Sequence, residues 1–494
     1  MLRRCRLFAS GLFLHTILLT GLTLGGAVSA TAADGIAELD PTEHLPGGAA
    51  TSRKSVNGNS FSHASANMPF EKELDFKIGN GFFKRIWVSA PSSTKAADGL
   101  GPVFNAKACQ RCHLKDGRGH PPAANYPDDT AVSMFLRLSI PPQNDEDRHL
   151  LETLRQPVIP EPVYGGQLQD FSVQGVPSEG HMHIDYEEIT VTLSDGETAS
   201  LRKPTYTATD LNYGPMHPET MMSPRVAPPM IGLGLLELVP EQAIMAHADP
   251  QDTDGDGISG KANRVWDIEA GEPRLGRFGW KAGNPNVKQQ SEGAFNGDIG
   301  ISTPLFQTAA GDCTQAQKPC LNAPSGATPK YENLEAHSTI ADLVTFYSRN
   351  LAVPARHNAD DRTVLRGKQI FHDTGCAACH QPTYDTGPST EMPWLANQKI
   401  WPYSDMLLHD MGDGLADNRP EGLADGQEWR TAPLWGIALT EVVSGHTSFL
   451  HDGRARSLLE AILWHGGEAQ AARDAVASMP KEDRNALLKF VGSL

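Results

Sequence analysis

The chain has 494 residues, with 42 Lys and Arg against 59 Asp and Glu for a formal charge of −17, and 39 % of its residues are hydrophobic. That apolar content excludes wholesale disorder, and the length suggests two to four domains. The acidic balance argues against a general nucleic-acid binder, and 47 glycines with 36 prolines, following no period, favour a loop-rich globular chain over a coiled coil or solenoid.

Arg3, Arg4 and Arg6 precede an apolar run from about Leu7 to Val28, and small residues close it at Val28-Ser29-Ala30. A basic start, an apolar middle and a small-residue exit predict an export signal over residues 1–30, cleaved after Ala30, with Ala33 as second choice. An uncleaved membrane anchor is the alternative, disfavoured by the Gly-rich exit and by His15. Losing the three arginines takes the charge from −17 to −20. No later stretch has the uncharged length to span a bilayer. The mature chain is expected to be periplasmic, with no stable membrane span, and to begin with a polar leader over residues 31–79.

Cys109-Gln-Arg-Cys112-His113 follows that leader, and the same pattern returns as Cys376-Ala-Ala-Cys379-His380. C-x-x-C-H is the attachment signature of c-type haem. Two thiols one helical turn apart can add to the two haem vinyl groups, and the adjacent imidazole then meets the iron. A four-cysteine zinc site is the rival, but the long separation of the two pairs fits no compact zinc spacing. A thioredoxin-like dithiol explains neither the histidines nor the duplication. Two covalently bound haem c groups are therefore expected, with His113 and His380 on the irons. Phe104 and Phe371 each stand five residues before the first cysteine of a pair, and Phe371 is expected to face its domain's closing helix.

Ile189 to Leu193, Ser-Asp-Gly, then Thr198 to Tyr206 predict a β-hairpin, an insertion spanning about residues 181–213. Asp252, Asp254 and Asp256 with Gly257 match the first half of an EF-hand loop, residues 252–263, although Asn263 replaces the usual terminal Glu; calcium or another hard cation is expected there in a structural role. Cys313 and Cys320 flank a polar loop and are expected to form a structural disulfide in an oxidising compartment. Ser338 to Leu351 reads as an amphipathic helix burying Ile340, Leu343, Val344 and Tyr347, and residues 354–361 as a linker. Gly367 to Phe371 begins the second haem domain, which a helix from Pro480 to Leu494 closes. The expected fold is mainly α, with two cytochrome c-like haem domains over residues 80–355 and 356–494, the first carrying the hairpin and long loops.

The chain resembles the di-haem oxidoreductases, a family also described as thiol oxidoreductases and related to the bacterial di-haem cytochrome c peroxidases and MauG. The likeness rests on both C-x-x-C-H sites, Ser223-Pro-Arg-Val-Ala-Pro-Pro-Met-Ile-Gly-Leu-Gly-Leu-Leu-Glu237, Gly276-Arg-Phe-Gly-Trp280-Lys-Ala282 and Leu407-Leu-His-Asp-Met411-Gly. The run from Leu434-Trp-Gly to His451-Asp-Gly-Arg-Ala and His465-Gly-Gly completes it. The resemblance implies that His465, 14 positions beyond His451, ligates the second iron, with Met411 and His409 as rivals. It implies that Glu179 assists peroxide cleavage on the first-haem side, although Tyr164-Gly-Gly-Gln departs from the family pattern there. Trp280 or Tyr164 is a candidate for a place between the haems.

The expected function is a peroxidase-like di-haem oxidoreductase. Peroxide, or oxygen, would react at the first haem, with electrons relayed through the second from a periplasmic electron-transfer protein. One alternative is a non-catalytic electron carrier, with His181, His183, Met216 or His217 as sixth ligand of the first iron. Another is a di-haem oxygenase acting on an organic substrate. The thiol-oxidoreductase label finds little support, because the cysteines after the signal are taken by haem or by the 313/320 pair.

Overall fold

Two pairs of helices crossing at glycine organise residues 37–494, which the computed structural model describes; the export signal expected over residues 1–30 lies outside them. The helices that position the site are α1 (Glu73–Phe83), α2 (Cys109–Cys112), α3 (Ser338–Arg349), α4 (Arg362–Asp373), α5 (Cys376–Cys379), α6 (Leu458–Leu463) and α7 (Lys481–Val491). Helix α1 packs on α3, and α4 packs on α7. A Cβ at Gly79 would stand 2.2 Å from the Leu343 carbonyl oxygen and 2.8 Å from Tyr347 Cβ. A Cβ at Gly367 would stand 2.0 Å from the Ala486 oxygen and 2.7 Å from Phe490 Cβ. Only glycine lets either pair approach so closely.

One turn after its glycine, each pair aims a ring at an attachment histidine. Phe83 lies 5.2 Å from Tyr347 and 6.2 Å from His113, its plane tilted 50° to the imidazole. Phe371 lies 5.2 Å from Phe490 and 6.2 Å from His380, tilted 52°. Phe83 is therefore the counterpart of Phe371. Phe104 instead stacks on Phe171 at 6.0 Å. The reason is an insertion: α4 runs almost directly into α5, whereas residues 84–108 separate α1 from α2, so counting back from Cys109 lands on a strand.

The expectation of a mainly α, cytochrome c-like fold is overturned. Only 29 % of the structure is helical and 17 % is strand. Among the described residues the strands form six two-stranded sheets. In chain order the first are β1 (Val103–Phe104), β2 (Met134–Ser139), β3 (Phe171–Ser172), β4 (His181–Thr192), β5 (Thr198–Thr209) and β6 (Met221–Val226). The physical reason is that the long connections close on themselves through short antiparallel ladders instead of helices. β1 pairs with β3, β2 with β6, and β4 with β5.

The β4–β5 hairpin is longer than the alternating run foretold, because His181 already pairs with Thr209. Its turn lies against the C-terminal helices: Ser194 N donates to the Ala477 carbonyl at 3.1 Å, Arg202 N to Glu460 at 2.7 Å, and Arg484 pairs with Asp195. Helix α7 begins one residue after Pro480, and Leu487, Phe490, Val491 and Leu494 are all buried. Helix α3 buries Ile340, Val344 and Tyr347.

The stretch read as a leader joins the fold, and α1 begins inside it. Glu43 is buried and receives Arg356 Nη1 at 2.7 Å and the Lys368 ammonium of α4. A carboxylate taken out of water needs such cations, so residues 40–52 are held on the second attachment segment. Backbone bonds from Trp401 N to the Pro46 oxygen and from Ser52 N to the Val353 oxygen reinforce the contact. Among the described residues no helix is long and apolar enough to cross a membrane.

The helix crossing makes a paired prediction within α1. Gly79→Ala drives a methyl into backbone and should cost about 2 kcal/mol. Gly81→Ala meets open space and should stabilise by about 0.5–1 kcal/mol. Urea unfolding midpoints of the two variants, read against the parent, check the opposite signs.

Candidate functional site

Each C-x-x-C pair occupies a single helical turn, so both thiols share a face, and the following histidine leaves the helix at once. His113 N donates to the Cys109 carbonyl and His380 N to the Cys376 carbonyl, both at 3.0 Å. The side chains are fixed in the same way. His113 Nδ1 bonds the Pro228 carbonyl at 2.8 Å, and His380 Nδ1 bonds the Tyr403 carbonyl at 3.0 Å. A carbonyl only accepts, so Nδ1 carries the proton and Nε2 keeps its lone pair, the tautomer a metal needs. Burial lowers both imidazoles to about pKa 4, against the pull of their carbonyl partners, and so keeps them neutral. Pro228 belongs to the 223–237 motif, and its service to His113 gives that motif a physical role.

Cys109, Cys112, Cys376 and Cys379 are all free thiols. Burial pushes Cys109 up to about 12, with the Asp298 carboxylate adding to it, and raises the other three as well. Reactive thiols need the opposite shift, so thiol exchange gains no support here. Two unbonded thiols on one face beside a neutral imidazole are the donor set that haem c requires, and the residues fit that group at both places.

His465 is fixed in the same way as the two attachment histidines. Ser457 caps α6 by accepting the Glu460 N–H at 3.1 Å, and the helix delivers His465 just past its end. There His465 Nδ1 bonds the Ala461 carbonyl at 2.8 Å, again freeing Nε2. Leu458, Leu459 and Ile462 of α6 pack against the same apolar cluster as Cys376 and Ala377 of α5, so the helix that carries His465 adjoins the second attachment turn. His409 is unsuited to ligation because both ring nitrogens are engaged: Nε2 meets Asp405 at 2.7 Å and Nδ1 meets Glu468 at 2.6 Å. Burial opposes charge on this ring, but Asp405, with Cys379 and Glu468, outweighs it and holds the pKa well above the ordinary imidazole value. Met411 packs into the cluster that holds Trp464 and Trp429.

Glu179 is tied to the segment that leads into Cys109 by sheet pairing and a shared turn. β1 leads into Cys109 and pairs with β3, which follows Gln169 and Asp170. Asn105 N and Ala106 N both donate to the Asp298 carbonyl, at 2.9 and 3.1 Å, while Gln169 Nε2 donates to the neighbouring Gly297 carbonyl at 2.7 Å. One turn thus carries both the approach to Cys109 and the support of Glu179. Glu179 is fully buried, with Oε2 accepting from Gln169 N at 2.7 Å and Oε1 from Gln317 Nε2 at 2.5 Å. Burial, then the charge of Asp312, raises its pKa well above the ordinary carboxyl value. Burial also raises Asp170 to about 7 and Asp312 to about 6.

Other expected residues fall in several places. The carboxylates of Asp252, Asp254 and Asp256 lie within 4.8 Å of one another on an exposed loop. Cys313 and Cys320 are disulfide-bonded. Trp280 is buried, donates Nε1 to the Val226 carbonyl at 2.8 Å and lies under the Arg118 guanidinium. Tyr164 gives its hydroxyl proton to the Gly214 carbonyl. His181 stacks on Tyr126, His183 faces Asp185, His217 Nδ1 accepts the Glu219 N–H, and Met216 joins the Leu136–Tyr164 cluster. Gln169, Gln317 and Asp312 were missed. Only the position of Gln317 between two paired cysteines could have pointed to it.

A family model described as "Di-haem oxidoreductase, putative peroxidase" matches residues 42–494. No curated protein matches the chain.

Replacing His409 by Ala leaves Asp405 and Glu468 facing each other without their shared cation. Breaking one buried partnership of this kind costs about 3–5 kcal/mol, so His409→Ala should unfold at markedly lower urea than Met411→Leu, which should cost less than about 1.5 kcal/mol.

Proposed function

Since the chain belongs to the di-haem oxidoreductase family, we propose that it is an exported peroxidase-like enzyme that reduces peroxide at the first centre with electrons relayed through the second. Haem supplies reversible one-electron chemistry and, where a coordination position stays open, a place for peroxide to bind. Cys109 and Cys112 would hold the first haem covalently, with His113 on its iron. Cys376 and Cys379 would hold the second, with His380 and His465 as the residues that would ligate its iron. A second haem answers the arithmetic of the reaction, because splitting the peroxide O–O bond to two waters takes two electrons and two protons.

The single observation that carries the reading is the fully buried carboxyl of Glu179, supported from the same 297–298 turn that holds the approach to Cys109. With one N–H donor on each oxygen, Glu179 is held in orientation and can release its proton to the departing peroxide oxygen. The histidines and methionine that could close the first iron as a sixth ligand are engaged elsewhere, which favours reaction over simple electron transfer. The imidazole of His113, its Nδ1 proton held by the Pro228 carbonyl, keeps on Nε2 the lone pair that an iron needs. Oxygen in place of peroxide is the second reading of the same centre, as is an organic substrate, and product analysis separates them.

Glu179→Gln should retain both haems while slowing peroxide consumption by about 10²–10⁴-fold, the range expected for losing a positioned acid. The loss of rate on the alkaline side, where the parent carboxyl gives up its proton, should vanish in the variant. Stopped-flow mixing with hydrogen peroxide across pH measures both.

A further inference from the structure

The expected disulfide did not enter the function above, yet its loop is what touches Glu179. Cys313 and Cys320 close an eight-residue loop in which Gln317 is fully buried. Thr314 N donates to Gln317 Oε1 at 2.7 Å, and this sets the amide so that Nε2 faces Glu179 Oε1. Thr314 Oγ1 in turn donates to the Val163 carbonyl at 2.7 Å, tying the loop to the Tyr164-Gly-Gly turn. Asp312, next to Cys313, accepts the Gly166 N–H at 3.0 Å. The Gly-Gly pair is needed for this fit: Gly165 has φ +75°, and a Cβ there would stand 2.7 Å from Asp312 Oδ2. Gln169 joins the two carboxyls, its backbone N on Glu179 and its Nε2 3.4 Å from Asp312 Oδ1.

We infer that the Cys313–Cys320 loop is a positioning element for Glu179, holding Gln317 on that carboxyl and the adjoining Asp312 on the Gly166 and Gln169 amides next to it, so that the closed disulfide sets the proton affinity of Glu179. The functional meaning rests on Glu179 being the peroxide-side acid. Gln317 and Asp312 act in opposite directions: an amide donor favours the carboxylate, and a neighbouring negative charge favours the acid. Asp170, Tyr164 and Tyr213 are the other titratable groups that share the field of Glu179, and Arg137 faces Asp312. None of these four is carried by the disulfide loop.

Difference infrared spectroscopy of the purified holoprotein follows the Glu179 acid band, assigned as the band missing from Glu179→Gln. Gln317→Leu should move its titration midpoint up by about one pH unit, and Asp312→Asn should move it down by a similar amount. In the background Cys313→Ser with Cys320→Ser, the Gln317→Leu shift should shrink to nothing, because an opened loop no longer delivers the amide. If that background does not fold, reductant-treated and thiol-blocked parent and Gln317→Leu holoproteins replace it. An unmoved midpoint in Gln317→Leu, or a shift that survives opening of the loop, overturns the inference. A normal peroxide rate in Glu179→Gln with the infrared shifts intact would instead remove the peroxide-side role and leave the loop's hold on Glu179 standing.

Discussion

The hydrogen bond from Nδ1 to a backbone carbonyl, made by His113 to Pro228, by His380 to Tyr403 and by His465 to Ala461, is the constraint on which the candidate centres depend. It fixes the tautomer, aims Nε2 and needs no charged partner that would make the imidazole an imidazolium. His409 shows the contrast within the same centre. With carboxylates on both nitrogens it is a structural cation, spent on holding Asp405 and Glu468 together. The difference between a ligand histidine and a structural one is decided here by whether its partner is a carbonyl or a carboxylate.

Around these bonds the chain builds two half-sites from unlike sequences. Gly79 and Gly367 allow the helix crossings, and Phe83 and Phe371 reach the histidines from them at equal distance. What differs is the surrounding polar chemistry. At the second centre Ser259, next to the acidic loop, donates to Glu468 and so stands two bonds from His409. On the approach to Cys109, buried amides join half-buried carboxyls from Asp298 through Gln167 and Asn105 to Asp170, and Gln169 links that turn to Glu179 and Asp312. Carboxyls gathered in poorly solvated surroundings resist ionisation, and the raised pKa values of Asp170, Glu179 and Asp312 follow from that cost.

The two C-x-x-C-H motifs were legible because their spacing is local and chemical, and α3, α7 and the hairpin because their apolar periods or turn residues are strong. The α/β balance was not legible. β1–β3 and β2–β6 pair segments far apart in sequence, each ladder too short to leave a period. Helix α1 was hidden by Gly79 and Gly81, which lower helix propensity, and by the residues inserted before Cys109. Several motif residues that carry the family likeness prove to be architectural. Lys281 is fully buried, donating to Asp417 and to the Arg419 and Asp425 carbonyls, and a Cβ at Gly276 would collide with the Ala282 carbonyl. His451 stacks on Trp429 at 3.7 Å while Asp452 binds Arg454 and the hairpin's Tyr206. Gln169 and Gln317 carry no motif of their own, and only folding brings them to Glu179.

Intact-mass spectrometry of the protein, matured in a host competent in cytochrome c assembly and then denatured, tests the central claim most directly. The expected species is the chain without residues 1–30 plus two haems, with one haem lost when Cys109 and Cys112 are replaced by Ser and the other when Cys376 and Cys379 are. A mass equal to the bare processed polypeptide, or a haem that survives either pair of replacements undiminished, would contradict attachment at these two histidine-bearing turns.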